Sequence, residues 1–292
     1  MSYSPVNQVG SASTGDPPQK QTIARISLNP RAHKLAIAFQ ISTIFLTSCV
    51  IPLVLYYALI YKTSLKLQII LAIVTPIFGV VSLSSLFLRT WRLLSARKYL
   101  PLGQKSRWAL DYFDWNFALG FIVVAVVIAA GISMKPSNVR MVALSLPMLM
   151  LQICSQMVLL VPLSAMHVRA PFRFSSIGKG ELLKPAVYVI VEDVIAVDAK
   201  QGDVFRSQWR ARYESSQPFR NLLTQLDLLW GVSGVLVAGG IIAVLFAVKP
   251  IDVGWAVGWG VPWIWTAVMS LITFKLVDSM DRKEDALVRN GA

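Results

Sequence analysis

Charge is what this sequence is short of. Asp, Glu, Lys and Arg make up only 15% of its 292 residues, against about 25% in soluble domains, which excludes an ordinary water-soluble globule. Histidine and cysteine are scarcer still, at two each. Cys49 and Cys154 both fall inside apolar runs, so a disulfide framework and a cysteine zinc site are excluded. His33 and His167 are too few to argue for haem. The chain contains no Walker loop, dinucleotide fingerprint, GxSxG or HExxH, and hence none of the commonest phosphate, nicotinamide, serine-nucleophile or zinc-protease signatures. No metal and no cofactor is expected. The first residues also lack the apolar core of a signal peptide. Being rich in Ser, Gly, Pro and Gln, segment 1–30 reads as a disordered tail, and the first apolar run as an uncleaved signal anchor.

What is abundant is long apolar sequence. Hydrophobic residues reach 55%. Six runs are near or above the roughly 20 residues that cross hydrocarbon as a helix: Leu35–Tyr61, Leu67–Leu88, Trp115–Met134, Val139–Met166, Leu226–Val248 and Gly254–Leu276. They do not alternate polar and apolar residues, which argues against barrel strands. The expected fold is an all-α integral membrane protein, a six-helix transmembrane bundle. Spans 1–4 occupy 33–167, spans 5–6 occupy 224–278, a loop region lies between them at 168–223, and a C-terminal tail covers 279–292.

The net charge of +13 does not point to nucleic acid, because the cations sit beside the apolar runs. Of the 28 Lys and Arg, 23 fall in alternate segments: the N-terminal tail, the 89–114 loop, the 168–223 loop and the C-terminal end. The other connections hold five. The positive-inside rule then places both termini and both long loops in the cytosol. Within 89–114, Arg89, Arg92, Arg97, Lys98, Lys105 and Arg107 interleave with Trp91, Tyr99 and Trp108. That mixture fits a segment lying on the membrane surface against anionic head groups.

Polar groups inside the spans are few and uncharged. Gln152 and Gln156 share one helical face, with Gln40 in span one. They read as interhelical hydrogen-bonding groups or as the lining of a site for an amphipathic ligand. Trp255, Trp259 and Trp263 recur every four residues, as an interfacial aromatic belt would or as an aromatic ligand wall. Gly231, Gly234, Gly254 and Gly258 suit close helix approach, expected between spans five and six, and the GxxxG pair Gly254 and Gly258 equally suits a homodimer face.

The 168–223 loop exceeds a bare connection. Pro185 suits a helix start. Strand and helix compete from Val187 on; the spacing of Glu192, Asp193, Ala196 and Asp203 favours an amphipathic helix on the bilayer. A second helix is expected from Asp203 to Tyr213, and a third opening at Ser216 and Pro218. Glu192, Asp193 and Asp198 form a cytosolic acidic cluster. Their spacing does not match diphosphate-binding aspartate motifs, so they are expected to pair with Arg206, Arg210 and Arg212 on the surface.

Taken in order, PFRFSS, KGE, KP, VYVIVEDVIAVD, FR, RARYE, PFR and LLW resemble an uncharacterised family of polytopic membrane proteins from filamentous fungi. The resemblance implies a eukaryotic membrane location and no particular activity. Some such proteins accompany secondary-metabolite genes. Two functions follow as expectations: a non-enzymatic accessory or scaffold protein whose loop 168–223 docks a partner, or a membrane-embedded enzyme or carrier for a lipophilic small molecule. The partners expected are the bilayer itself and its anionic cytosolic head groups, with no nucleic acid.

Overall fold

The structure is a computed structural model and describes residues 45–106 and 109–290. Gln40, Arg107 and the tail 1–30 lie outside the described residues. Eight helices account for most of the rest: α1 (Leu46–Lys62, opening with a π-helical turn), α2 (Leu67–Ser95), α3 (Tyr112–Ser133), α4 (Val139–Ala165), α5 (Ala186–Val197), α6 (Gly202–Ser215), α7 (Gln217–Ala247) and α8 (Ile251–Asn290). Among the described residues there is no β-strand, only two isolated bridges in the α4–α5 connection. Five helices, α2, α3, α4, α7 and α8, are long and apolar enough to cross a membrane, and α1 is a shorter apolar helix. Large side chains such as Phe87, Trp91, Ile122, Leu271 and Phe274 stand 59–70% exposed on them. A soluble monomer rarely shows so much contiguous apolar surface.

Local chemistry sets the helix boundaries. Asn138 caps α4, its side chain accepting from the N–H of Arg140 and Met141. Ser216 caps α7 through the Phe219 N–H, and Asp111 caps α3 through the Asp114 N–H. Pro185 precedes α5, and Gly202, at φ +65°, turns the chain into α6. Only glycine fits there, because a Cβ would lie 2.9 Å from the Lys98 carbonyl oxygen. Pro147 cannot donate to the carbonyl four residues back, at Ala143. The helical run breaks there, at Leu144, between Val139–Ala143 and Ser145–Ala165. Gly258 of α8 fits against that same carbonyl, where a Cβ would come within 2.5 Å.

The small residues of span five do not serve spans five and six alone. Gly231 and Gly234 of α7 press onto α4, against Val158 and Cys154, while Trp265 of α8 also approaches Gly234. The GxxxG pair Gly254 and Gly258 is likewise occupied within the chain, by Leu245 and Ala143.

The bundle has two unlike ends. At the turn end the connections are short, and Tyr56, Trp255 and Trp259 are fully buried with Ile70, Val142 and Leu245. Trp255 stacks on Tyr56 at 4.5 Å between ring centres. At the loop end, α5 and α6 fold over the bundle, burying Tyr188, Phe205, Trp209, Phe219 and Met280 together. Helix α8 has 40 residues, about 60 Å at 1.5 Å per residue, twice the roughly 30 Å of hydrocarbon. Its far part reaches this end, where Arg212 of α6 pairs with Asp281 and Glu284.

Candidate functional site

Two arrangements at the loop end carry chemistry, and they share residues. The first is a buried ion cluster. Arg89 of α2 grips Asp111 with both terminal nitrogens, at 2.8 and 3.1 Å, and also pairs with Asp114. It reaches Asp198 at 3.3 Å and donates to the Asp193 carbonyl oxygen at 3.2 Å. Arg206 of α6 pairs with Asp193 at 2.7 Å and Glu192 at 3.2 Å, and donates to the Tyr99 carbonyl at 3.2 Å. The four carboxylates Asp111, Asp114, Glu192 and Asp193 are at most 1% exposed, and the two arginines at most 5%.

Glu192 and Asp193 were expected on a surface. They face inward because each arginine comes from another element and meets them there; Arg206 lies 13 residues along the chain from Asp193. Arg89, expected at the membrane surface, is buried in the same cluster, whereas Arg92 is one-third exposed beside Asp198. Arg210 and Arg212 pair elsewhere, with Glu181 and Glu214 and with Asp281 and Glu284. Helix α5 is apolar on nearly every side, so it is buried rather than laid flat on a lipid surface.

With four buried acids against two buried bases, desolvation dominates. It pushes Asp193 up to about 7, with Asp111 adding to the rise and Arg206 opposing it. Burial also raises Glu192 and Asp198, against the pull of Arg206 and Arg89 respectively. Among the described residues no group of His, Cys, Asp and Glu has the arrangement of a metal site. The guanidinium groups occupy the space between the acids.

A fifth buried acid stands apart from the cluster. Asp227 of α7 accepts from the N–H of Ala186 at 2.6 Å and Val187 at 2.8 Å. It caps α5 from another helix, against the positive end of that helix dipole.

The second arrangement is a cleft of about 840 Å³ between α3, α4 and the segment before α5. Its walls include Trp115, Leu119, Leu159 and Leu163, 37–64% exposed along the outer face of the bundle, so the cleft opens sideways. Its polar groups form a row. The Tyr112 hydroxyl donates to Gln156 Oε1, and Gln156 Nε2 donates to Asn116 Oδ1 at 3.0 Å. Gln152 Nε2 donates to the same oxygen at 2.8 Å. Asn116 Nδ2 donates to no group among the described residues. At the loop-end rim, Arg173 donates to the carbonyls of Leu102 at 2.8 Å and Gly103 at 3.3 Å.

Ser175 joins the two arrangements. Its hydroxyl donates to Asp193 Oδ2 and accepts from the Tyr112 N–H at 2.8 Å, while the residue lines the cleft. It sits at φ +48°, a left-handed conformation that is uncommon for a residue with a side chain.

Of the residues proposed from sequence as ligand-lining, Gln156 lines the cleft and Gln152 stands behind it, bonded to Asn116. Trp255 and Trp259 are fully buried at the turn end, and Trp263 packs edge-on against Phe45. None of these three lies at the cleft. Arg97, Lys98 and Lys105 lie in the α2–α3 connection at the loop end. Sequence reasoning missed Tyr112, Asn116, Arg173 and Ser175. The spacing of Tyr112 and Asn116, four apart like Gln152 and Gln156, was the available signal.

Residues 8–287 match a domain family of unknown function, DUF8766, and the chain belongs to that family. No match was found among curated proteins or among solved structures.

Proposed function

We propose that this protein is a six-span membrane protein that holds a lipophilic small molecule in the α3–α4 cleft, with both termini and the 89–114 and 168–223 loops on the cytosolic side. The carrying observation is the cleft itself: apolar walls open to the side of the bundle, and the hydrogen-bonding groups gather along one wall and the loop-end rim. Its size falls in the range of about 300–1,000 Å³ typical of small-molecule sites. The polar lining consists of amides, a phenol, a hydroxyl and one guanidinium, groups that bind and orient. The reading is therefore of a binding protein or carrier rather than an enzyme. The fungal resemblance and its association with secondary metabolism agree with a small-molecule role, and the basic loop would rest on anionic head groups. The 23-to-5 distribution of cations supports the orientation.

The reading is tested by purifying the protein from its native membrane and identifying bound small molecules by mass spectrometry, beside the cleft-filling variant Leu119→Trp/Leu159→Trp. A molecule retained by the wild type and lost from a folded variant is expected; identical retention by both would overturn the cleft reading. An epitope within residues 175–205 should be protected from the outside of intact cells or organelles. A partner-docking scaffold is a second reading, favoured by one observation: the buried ion cluster fixes α5 and α6 onto the bundle and presents a rigid outer surface. Protein partners lost when that surface is changed, with no bound small molecule, would favour it.

A further inference from the structure

We infer that the cleft takes a single-chain lipophilic carboxylic acid, its carboxylate at Arg173 and its chain lying along α3 and α4; this rests on the cleft reading above. Among the described residues, Arg173 is the one charged residue lining the cleft, and it forms no ion pair there. Its guanidinium is held at the rim by carbonyl oxygens of Leu102 and Gly103, which orient it without neutralising it. An anchored, uncompensated cation selects an anion, and a single one matches a monoanion better than a phosphate dianion.

The order of residues supplies the direction. Beyond the rim come Tyr112 and Asn116, then Leu119, seven residues and about 10 Å along α3 from Tyr112. Antiparallel α4 presents Leu163 toward the rim and Leu159 and Gln156 farther in. Charge at the watery end and an aliphatic trough running inward along exposed Trp115, Leu119 and Leu159 match a head-and-chain molecule entering from the side. The neutral amide row, with Asn116 Nδ2 free to donate, meets the chain near its head.

The test uses the full-length protein in nanodiscs of dioleoylphosphatidylcholine, with tritiated oleate and tritiated oleyl alcohol as probes at pH 8. Saturable oleate binding is expected, with oleyl alcohol about tenfold weaker, the size of one charge-assisted hydrogen bond. Arg173→Gln should remove that difference, Arg173→Lys should keep most of it, and Leu119→Trp/Leu159→Trp should abolish binding of both. Equal binding of oleate and alcohol by the wild type, still abolished by cleft filling, would overturn the carboxylate inference and leave the cleft reading standing. Binding of either probe that survives cleft filling, or no saturable binding of either, would overturn the inference, and survival after filling would take the cleft reading with it. The comparison of the two probes on wild type is independent of how well any variant folds.

Discussion

The two ends of the bundle close in opposite ways. At the turn end, connections are a few residues long and the closing contacts are aromatic: Trp255 on Tyr56, with the tyrosine hydroxyls of 56 and 61 on Asp252 at 3.1 Å each. At the loop end, more than 50 residues must be held down, and burial of apolar side chains is joined by the six buried charges of the ion cluster and by Asp227. The contrast teaches where charge is tolerated inside an apolar chain. It sits where helices α2, α3, α5 and α6 each contribute a member, so that no acid is buried without a base or an N–H beside it. Aromatic closure is local and forgiving, whereas the ion cluster ties four elements into one structural unit.

The sharpest break of that contrast is Arg206→Met. It strands Glu192 and Asp193 without their base, and removing one partner of a buried pair costs about 3–5 kcal/mol. Thermal unfolding in detergent should show the loss, with α5 and α6 becoming open to protease before the bundle.

The second test is pH. The carboxyl of Asp193 is raised from an ordinary 3.8 to about 7 in the fold, so between those values the folded chain keeps a proton that the unfolded chain has released. Stability from this group is therefore fully present below about pH 4 and is lost progressively as pH rises to about 7. The surrounding groups are Glu192 on the same helix, Asp111 and the Phe113 N–H of α3, Arg206 of α6, Arg89 of α2 and the Ser175 hydroxyl. Melting temperature should fall between about pH 4 and pH 7 and level off above, and Asp193→Asn should flatten that slope; a rise with pH across this window would contradict the buried-acid account.

A smaller effect is expected from Asp227→Asn. The amide keeps one acceptor oxygen, so one of the two N–H bonds from Ala186 and Val187 is lost together with the charge facing the α5 dipole, a change of about 1–2 kcal/mol, read as faster hydrogen exchange in the first turn of α5. Smallest is Asp252→Asn at the turn end, where the amide oxygen still accepts a tyrosine hydroxyl, the contact with exposed Tyr61 is worth about 1 kcal/mol or less, and Tyr57 still bonds the Asp252 backbone carbonyl. If this variant destabilised the chain as much as Arg206→Met, the distinction between the ends would fail.

Much of the bundle was legible because hydrophobic length and end signals are local. Ser216 and Pro218 announced α7, Pro185 announced α5, and Asp203 announced α6. What was not legible depends on which surfaces meet. Arg89 reads like its neighbours Arg92 and Arg97 until Asp111 and Asp114 are seen to come back beside it. Glu192 and Asp193 follow a helical spacing that serves a wet face and a buried acid pair equally well. Trp255 and Trp259 have the period of an interfacial belt, but the same period stacks Trp259 on Trp255 and Trp255 on Tyr56, burying both. The cleft was half legible: Gln156 stood out as a polar residue within an apolar run, whereas Arg173 and Ser175 belong to an irregular segment whose path no periodicity describes.

The central claim is that a lipophilic molecule occupies the groove between α3 and α4 rather than the general lipid-facing surface. Photocrosslinking with a diazirine-bearing fatty acid in nanodiscs, followed by peptide mapping, tests it directly. The account predicts label concentrated at residues 115–119 and 156–163 and competed away by unlabelled oleate. Label spread evenly over all outward faces, with Phe87 of α2 and Leu271 of α8 modified as strongly as Leu119 and Leu159, would contradict it.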